Sequence, residues 1–220
     1  WDIDQSLMSF SLGVVQTISA CVRLFTPEGG SVLIQTPVYS EFYDMTEAWN
    51  RKVVENQFVE KDGKWTVDWA DFEEKLKEVD LFILCSPHNP LGIVWTEEEL
   101  RRMMELCLQY HVPVVSDEIH SDLIFHGKKH IPTASLSPEI AANVITGISG
   151  TKTFNLAGLQ ASTVVFPDHH KKEVFDHFWQ CMDIHRNNAF SLTAMEAAFN
   201  QGEEWLEQLL PYLSANFDYV

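Results

Sequence analysis

Lys152 lies at the centre of Ile145–Leu159, ITGISGTKTFNLAGL, where an apolar run rich in β-branched residues (Val144, Ile145, Ile148) empties into Ser149, Gly150 and Thr151. Such a run reads as a buried strand ending in a tight loop. A lysine delivered to that loop is expected to be partly desolvated, which favours the free amine and suits it to act as a nucleophile or Schiff-base partner. By position alone Lys152 reads more readily as a solvated surface charge, so the residues around it decide.

Asp117 follows the apolar run Val112–Ser116, so its carboxylate stands at a strand end among apolar neighbours. A buried carboxylate needs a cationic or hydrogen-bonding partner, and a protonated pyridine nitrogen is one such partner. Asn89, within SPHNP, carries an amide that can donate to a phenolate oxygen, and His120, three residues beyond Asp117, can do the same. The turn at Gly13, Val14 and Val15 opens a helix whose first backbone N–H groups are unpaired, which suits a phosphate. Tyr39, two residues after Pro37, can lay its ring on a planar cofactor. Each also has an ordinary structural reading: Asp117 a helix cap, Asn89 a turn residue, His120 a core histidine and Tyr39 a packing aromatic.

The elements that must position these groups follow from periodicity. Helical spacing of apolar residues runs over Gly13–Phe25, Ser40–Trp49 and Trp65–Val79, the last with Trp65, Trp69, Phe72, Leu76 and Val79 as core contacts. Thr96 and Glu99 form a capping box at the start of another helix. The C-terminal part is helical over His170–Met182, Leu192–Phe199 and Glu203–Leu210. Strands are predicted at Ser31–Gln35, Lys52–Glu55, Leu81–Ser86, Val112–Val115, the run before Lys152, and Ala161–Phe166. Fully apolar strands alternating with helices imply an α/β fold, a three-layer αβα sandwich around a mostly parallel sheet. In such sheets ligands sit at the carboxyl ends of the strands, where Asn89, Asp117, His120 and Lys152 all fall.

The formal net charge of −17, with no basic run longer than two residues, argues against nucleic acid and anionic membrane as partners. No apolar run approaches the ~20 residues of a bilayer span. The first ten residues, WDIDQSLMSF, lack the pattern of a signal peptide. The four cysteines (Cys21, Cys85, Cys107, Cys181) are widely separated and show no metal-ligand spacing, so no metal site is expected and a reducing, cytoplasmic setting is. The chain opens without a methionine and stops inside a helical pattern, which suggests a fragment.

Two other chemistries fail on their spacing. VVSDEIH has the look of a helicase Asp-Glu-x-His, and GISGTKT that of a phosphate-binding loop; but Thr151 separates Gly150 from Lys152, and the order of the two motifs is reversed. A serine nucleophile at Ser149 would need GxSxG, which Gly147–Gly150 does not provide.

The succession SPHNPLG, VVSDEIH, SGTKTFNLAGL resembles fold-type-I enzymes dependent on pyridoxal 5′-phosphate. More closely it is similar to the aminotransferase class I/II branch that holds the cystathionine β-lyases of the MalY/PatB type, over essentially the whole chain. The resemblance implies that Lys152 carries the cofactor's Schiff base and moves the substrate proton. It implies that Asp117 pairs with the pyridinium nitrogen, that Asn89 and His120 bind the ring oxygen, and that Tyr39 stacks on the ring. Val14, Val15 and Ser149 would hold the phosphate. Residues 1–201 would be the cofactor-binding large domain, lacking its N-terminal segment, and residues 202–220 the start of a helix into an absent small domain.

One departure stands out: many aminotransferases place a phosphate-binding arginine eight residues after the lysine, and here that residue is Gln160. The resemblance implies β-elimination from L-cystathionine or a related amino acid, giving pyruvate, ammonia and a thiol. Transamination is the alternative, since Lys152 serves both. A binding or regulatory protein on the same scaffold is a third reading, disfavoured by the joint presence of Asn89, Asp117 and Lys152. A homodimer is implied by the resemblance alone.

Overall fold

The computed structural model describes residues Trp1–Tyr219. Nine strands form, β1 (Met8–Ser11), β2 (Ser31–Thr36), β3 (Lys52–Gln57), β4 (Val59–Lys61), β5 (Lys64–Thr66), β6 (Leu81–Cys85), β7 (Val114–Asp117), β8 (Val144–Ile148) and β9 (Ser162–Val165). Seven of them make one sheet in the order β1-β9-β8-β7-β6-β2-β3, and β4 and β5 form a separate hairpin. The four pairings from β3 to β8 are parallel, while β9 runs antiparallel to both β8 and β1. The helices are α1 (Val14–Phe25), α2 (Glu41–Ala48), α3 (Trp69–Leu76), α4 (Glu97–Gln109), α5 (Pro138–Ala141), α6 (Gly150–Thr153), α7 (His169–Cys181), α8 (Ala189–Gln201) and α9 (Glu203–Tyr219).

The central strands are largely apolar because both of their faces are covered, with polar residues gathered toward their carboxyl ends. Val32 and Ile34 of β2, with Ile83 of β6, face one core with α1, α2 and α7. Leu33, Phe82 and Leu84 face the other, with α3, α4 and α5. Successive side chains of a strand point to opposite faces, so a strand sandwiched between two helical layers has no polar position to spare. This is the three-layer αβα arrangement with a mostly parallel sheet.

Local chemistry explains several boundaries. Thr96 accepts the N–H of Glu99 at 3.2 Å while Glu99 accepts the N–H of Thr96 at 2.9 Å, the expected capping box. Asp68 caps α3 through the N–H of Asp71 at 3.1 Å, which stops the helix short of Trp65. The expected helix over Trp65–Val79 is therefore only Trp69–Leu76, and Trp65 is a 47% exposed strand residue outside the core. Asp62 and Gly63 both take positive φ and close the hairpin between β4 and β5, a turn signal that outweighs the helical spacing. Strand β7 begins later than expected, so Ser116 and Asp117 belong to the sheet itself.

Candidate active site

The parallel strands β6, β7 and β8 end on the same side of the sheet, and a cavity of about 240 Å³ opens over their carboxyl ends. Its walls include Asn89, Asp117, His120, Lys152, Tyr39 and the first turn of α1 at Val14 and Val15. Of the residues singled out in the sequence, all but Ser149 line it.

Asp117, the last residue of β7, is 5% exposed. Among the described residues its carboxylate takes one hydrogen bond, from the N–H of Ile119 at 3.1 Å. Burial pushes this carboxyl up to about 7, with the neighbouring Glu118 adding to the rise and the N–H of Ile119 and the charge of Lys152 opposing it. A carboxylate held in this state is short of a cation. Glu118 is buried too, but satisfied, by Ser116 Oγ at 2.9 Å, Thr133 N–H at 2.9 Å and His130 Nε2 at 2.8 Å.

Lys152 sits on α6, the single turn that follows β8, and its side chain is exposed. The expectation of a desolvated lysine is corrected here: Lys152 lines the cavity but is exposed. His120 is half-buried, and burial with the nearby charge of Lys152 holds it below the usual imidazole range. Asn89 is half-buried, with its backbone N–H 3.4 Å from Cys85 Sγ. Tyr39 is half-buried and meets Phe42 edge-on, with ring centroids 6.2 Å apart. Burial raises its phenol, and Glu41 and Asp117 add to the rise.

Helix α1 begins at Gly13, whose lack of a side chain leaves the first turn without a cap hydrogen bond. The first N–H to find an intrahelical partner is that of Thr17, on Gly13 O at 3.0 Å. The preceding N–H groups of the turn are free to bind an anion, and the helix dipole favours one there. Ser149 is engaged elsewhere. Its hydroxyl donates to Ala161 O at 2.5 Å and accepts the N–H of Thr151 at 3.0 Å, capping α6. Thr151 and Gln160, by contrast, line the cavity.

Sequence reasoning passed over Gln16, Cys85 and Thr151, which also line the cavity. Thr151 and Cys85 could have been found by proximity to strand ends; Gln16 gives no such signal. Burial pushes the Cys85 thiol up, with Asp117 adding to the rise, so it remains an inert thiol. A second, more apolar cavity of about 440 Å³ adjoins the first, the two meeting at Asn89 and His120.

Together these groups fit a planar heteroaromatic molecule with a protonated ring nitrogen for Asp117, a ring oxygen for Asn89 and His120, a phosphate for the α1 terminus, and a carbonyl carbon within the chemistry of Lys152. The fold is that of the large domain of fold-type-I enzymes. The chain belongs to the aminotransferase class I and II family, whose sequence profile it matches over residues 3–204. It is 45% identical over 220 residues to cystathionine beta-lyase PatB of Bacillus subtilis (strain 168), covering 99% of this chain and 57% of that protein. To protein MalY of Escherichia coli (strain K12) it is 32% identical, covering 99% of this chain and 56% of the other. The PLP-bound C-S lyase from Staphylococcus hominis superposes with a TM-score of 0.94 at 30% identity, covering all of this chain and 55% of that one. The chain thus spans a little over half the length of these relatives.

Proposed function

We propose that the protein is a pyridoxal 5′-phosphate-dependent C–S β-lyase that cleaves L-cystathionine or a related cysteine conjugate to pyruvate, ammonia and a thiol. The observation that carries this reading is Asp117, a buried carboxylate without a cationic partner among the described residues, in one cavity with Lys152 and the open first turn of α1. The similarity to relatives named cystathionine beta-lyase supports the lyase over the transaminase.

When bound, the cofactor supplies an electron sink for charge developing at the substrate's α-carbon. Asp117 keeps a proton on the ring nitrogen through a charge-assisted hydrogen bond, strong because the carboxylate is already out of water. Asn89 and His120 fix the ring oxygen, and Tyr39 covers a ring face. The N–H groups at Val14 and Val15 hold the phosphate, with Thr151 and Gln160 beside them. Lys152 Nζ would hold the carbonyl carbon of the bound cofactor and, once released from it, would take the proton from the substrate's α-carbon. Loss of the thiolate from the β-carbon follows from the charge built up by that proton transfer.

We propose further that two copies pair, for which the exposed apolar side chains Phe190, Leu192 and Phe199 of α8 speak. A cytoplasmic setting accords with four free cysteines, three of them buried. Residues 1–201 read as the cofactor-binding domain and α9 as the start of a connecting helix.

The test is to load the full-length natural protein with pyridoxal 5′-phosphate, add L-cystathionine, and measure pyruvate beside a Lys152→Ala variant. Pyruvate from the wild type and none from the variant is the expected result. Amino-group transfer to the cofactor without pyruvate would make the protein an aminotransferase. No yellow colour and no turnover would overturn the enzyme reading.

A further inference from the structure

Asn187 is buried, at 8% exposure, just before α8 and far in sequence from every residue of the cavity. Its one amide nitrogen donates to two backbone carbonyls, Ser11 O at 3.0 Å and Gln160 O at 3.2 Å. The first lies one residue before the lining residues Leu12 and Gly13, and the second belongs to a lining residue. Ser11 is the last residue of β1, two before Gly13, where α1 begins. Gln160 lines the cavity directly and holds a left-handed backbone, with φ 51°.

Gln160 sits in an irregular loop, and apart from its N–H on Ala157 O at 3.3 Å its backbone has only the amide of Asn187. The segment Ser11–Gly13 links an edge strand to α1, and Ser11 Oγ reaches only Gly13 O, at 3.3 Å. The same helix end also grips the preceding carbonyl, Leu159 O, through Asn188 Nδ2 at 3.2 Å and Ser191 Oγ. The β1–β9 ladder, which pairs Ser11 with Ser162, joins the same two segments through the sheet, and Asn187 adds the side-chain tie at Gln160 itself.

We propose that Asn187 is a positioning residue that sets the width of the phosphate cradle. It holds the first turn of α1 and Gln160 at the spacing at which both can donate to one phosphate. The inference rests on the cofactor reading above. It matters here because the cradle has a glutamine at position 160 in place of a guanidinium, so binding depends on the placement of neutral donors, and such donors lose their value over a few tenths of an ångström.

The experiment compares affinity for pyridoxal 5′-phosphate and for pyridoxal, which lacks the phosphate, by the absorbance of the Schiff base. It uses the full-length wild type and Asn187→Ala, with the melting temperature of each cofactor-free protein. Loss of two hydrogen bonds at the cradle is expected to weaken pyridoxal 5′-phosphate about tenfold and leave pyridoxal unchanged. Asn187→Ser keeps a single donor that cannot span both carbonyls, and it carries the same expectation if the alanine variant fails to fold. An equal fall for both ligands would show a merely structural role and overturn the proposal, as would no change for either. A wild type that binds pyridoxal as tightly as its phosphate would overturn the cradle while leaving the Lys152 chemistry intact. A wild type that binds neither would overturn the cofactor reading itself, and this proposal with it.

Discussion

A Cβ placed on Gly147 would lie 2.9 Å from Cγ1 of Val14, closer than real side-chain carbons approach. Gly147 is the register partner of Asp117 in the β7–β8 ladder, so the first turn of α1 rests on the sheet one strand from the buried carboxylate. The missing side chain is what lets the anion-binding end of the helix and Asp117 share one cavity. Gly147→Ala is expected to lift α1, costing about 1–3 kcal/mol by urea denaturation. It should weaken pyridoxal 5′-phosphate binding in parallel. Unchanged stability and affinity would show that the close seating of α1 does not matter.

Asp117 sets a pH dependence of opposite sign to an ordinary carboxylate. Its folded value, about 7, lies above the ordinary 3.8, so between those limits the folded protein binds more protons than the unfolded one. Stability must then fall as pH rises from about 4 to about 7. Differential scanning calorimetry of the cofactor-free protein should show this term as a loss of ~5 °C in melting temperature relative to Asp117→Asn. Added pyridoxal 5′-phosphate should cancel the loss in the wild type by supplying the missing cation. The same pH curve for both proteins would remove Asp117 as the buried acid.

His88 acts in the other direction. Its Nε2 bonds Pro37 O at 2.9 Å, while Nδ1 is buried without a partner, so a second proton would place an unpaired charge inside the protein. Burial holds the imidazole down to about 4. Between about pH 6.5 and pH 4 the unfolded chain takes up a proton that the folded one refuses, and stability falls as pH falls. His88→Gln keeps a donor for Pro37 O and does not titrate, so its stability at pH 4.5, relative to pH 7.5, should drop by about 2 kcal/mol less than that of the wild type. Equal drops in the two proteins would count against a neutral buried imidazole.

Gln160 is the position where a cation would be most effective. It lines the cavity from a left-handed backbone that arginine can adopt at similar cost. Gln160→Arg should tighten pyridoxal 5′-phosphate about tenfold through a charge-assisted contact. The gain should shrink as salt is raised, since charge attraction is screened. Weaker binding in the variant would show that the loop cannot carry a guanidinium to the phosphate.

Much of the fold is legible in the sequence because the central strands are apolar on both faces and their helices repeat with a clear period. Leu81–Leu84 could only be a strand covered twice, and α1 shows its buried stripe at Val14, Ile18, Cys21 and Val22. Strand β1 is not legible: MSFS is short and half polar, and it exists because β9 pairs with it along four residues. Trp65 misleads because an aromatic at helical spacing carries no mark of the Asp62–Gly63 turn that places it in a hairpin.

The sequence by itself placed Asn89, Asp117, His120 and Lys152 at or just beyond the carboxyl ends of successive strands of an α/β sheet, because burial writes itself into local periodicity. Only the tertiary structure decided how those strand ends are completed. Lys152 is exposed on a single helical turn, Ser149 spends its hydroxyl on capping that turn, and Asn187 reaches Ser11 across 176 residues of chain and Gln160 across 27. A polar side chain that bridges two distant backbone carbonyls leaves no period to read, since its partners are chosen by the packing of the whole sheet.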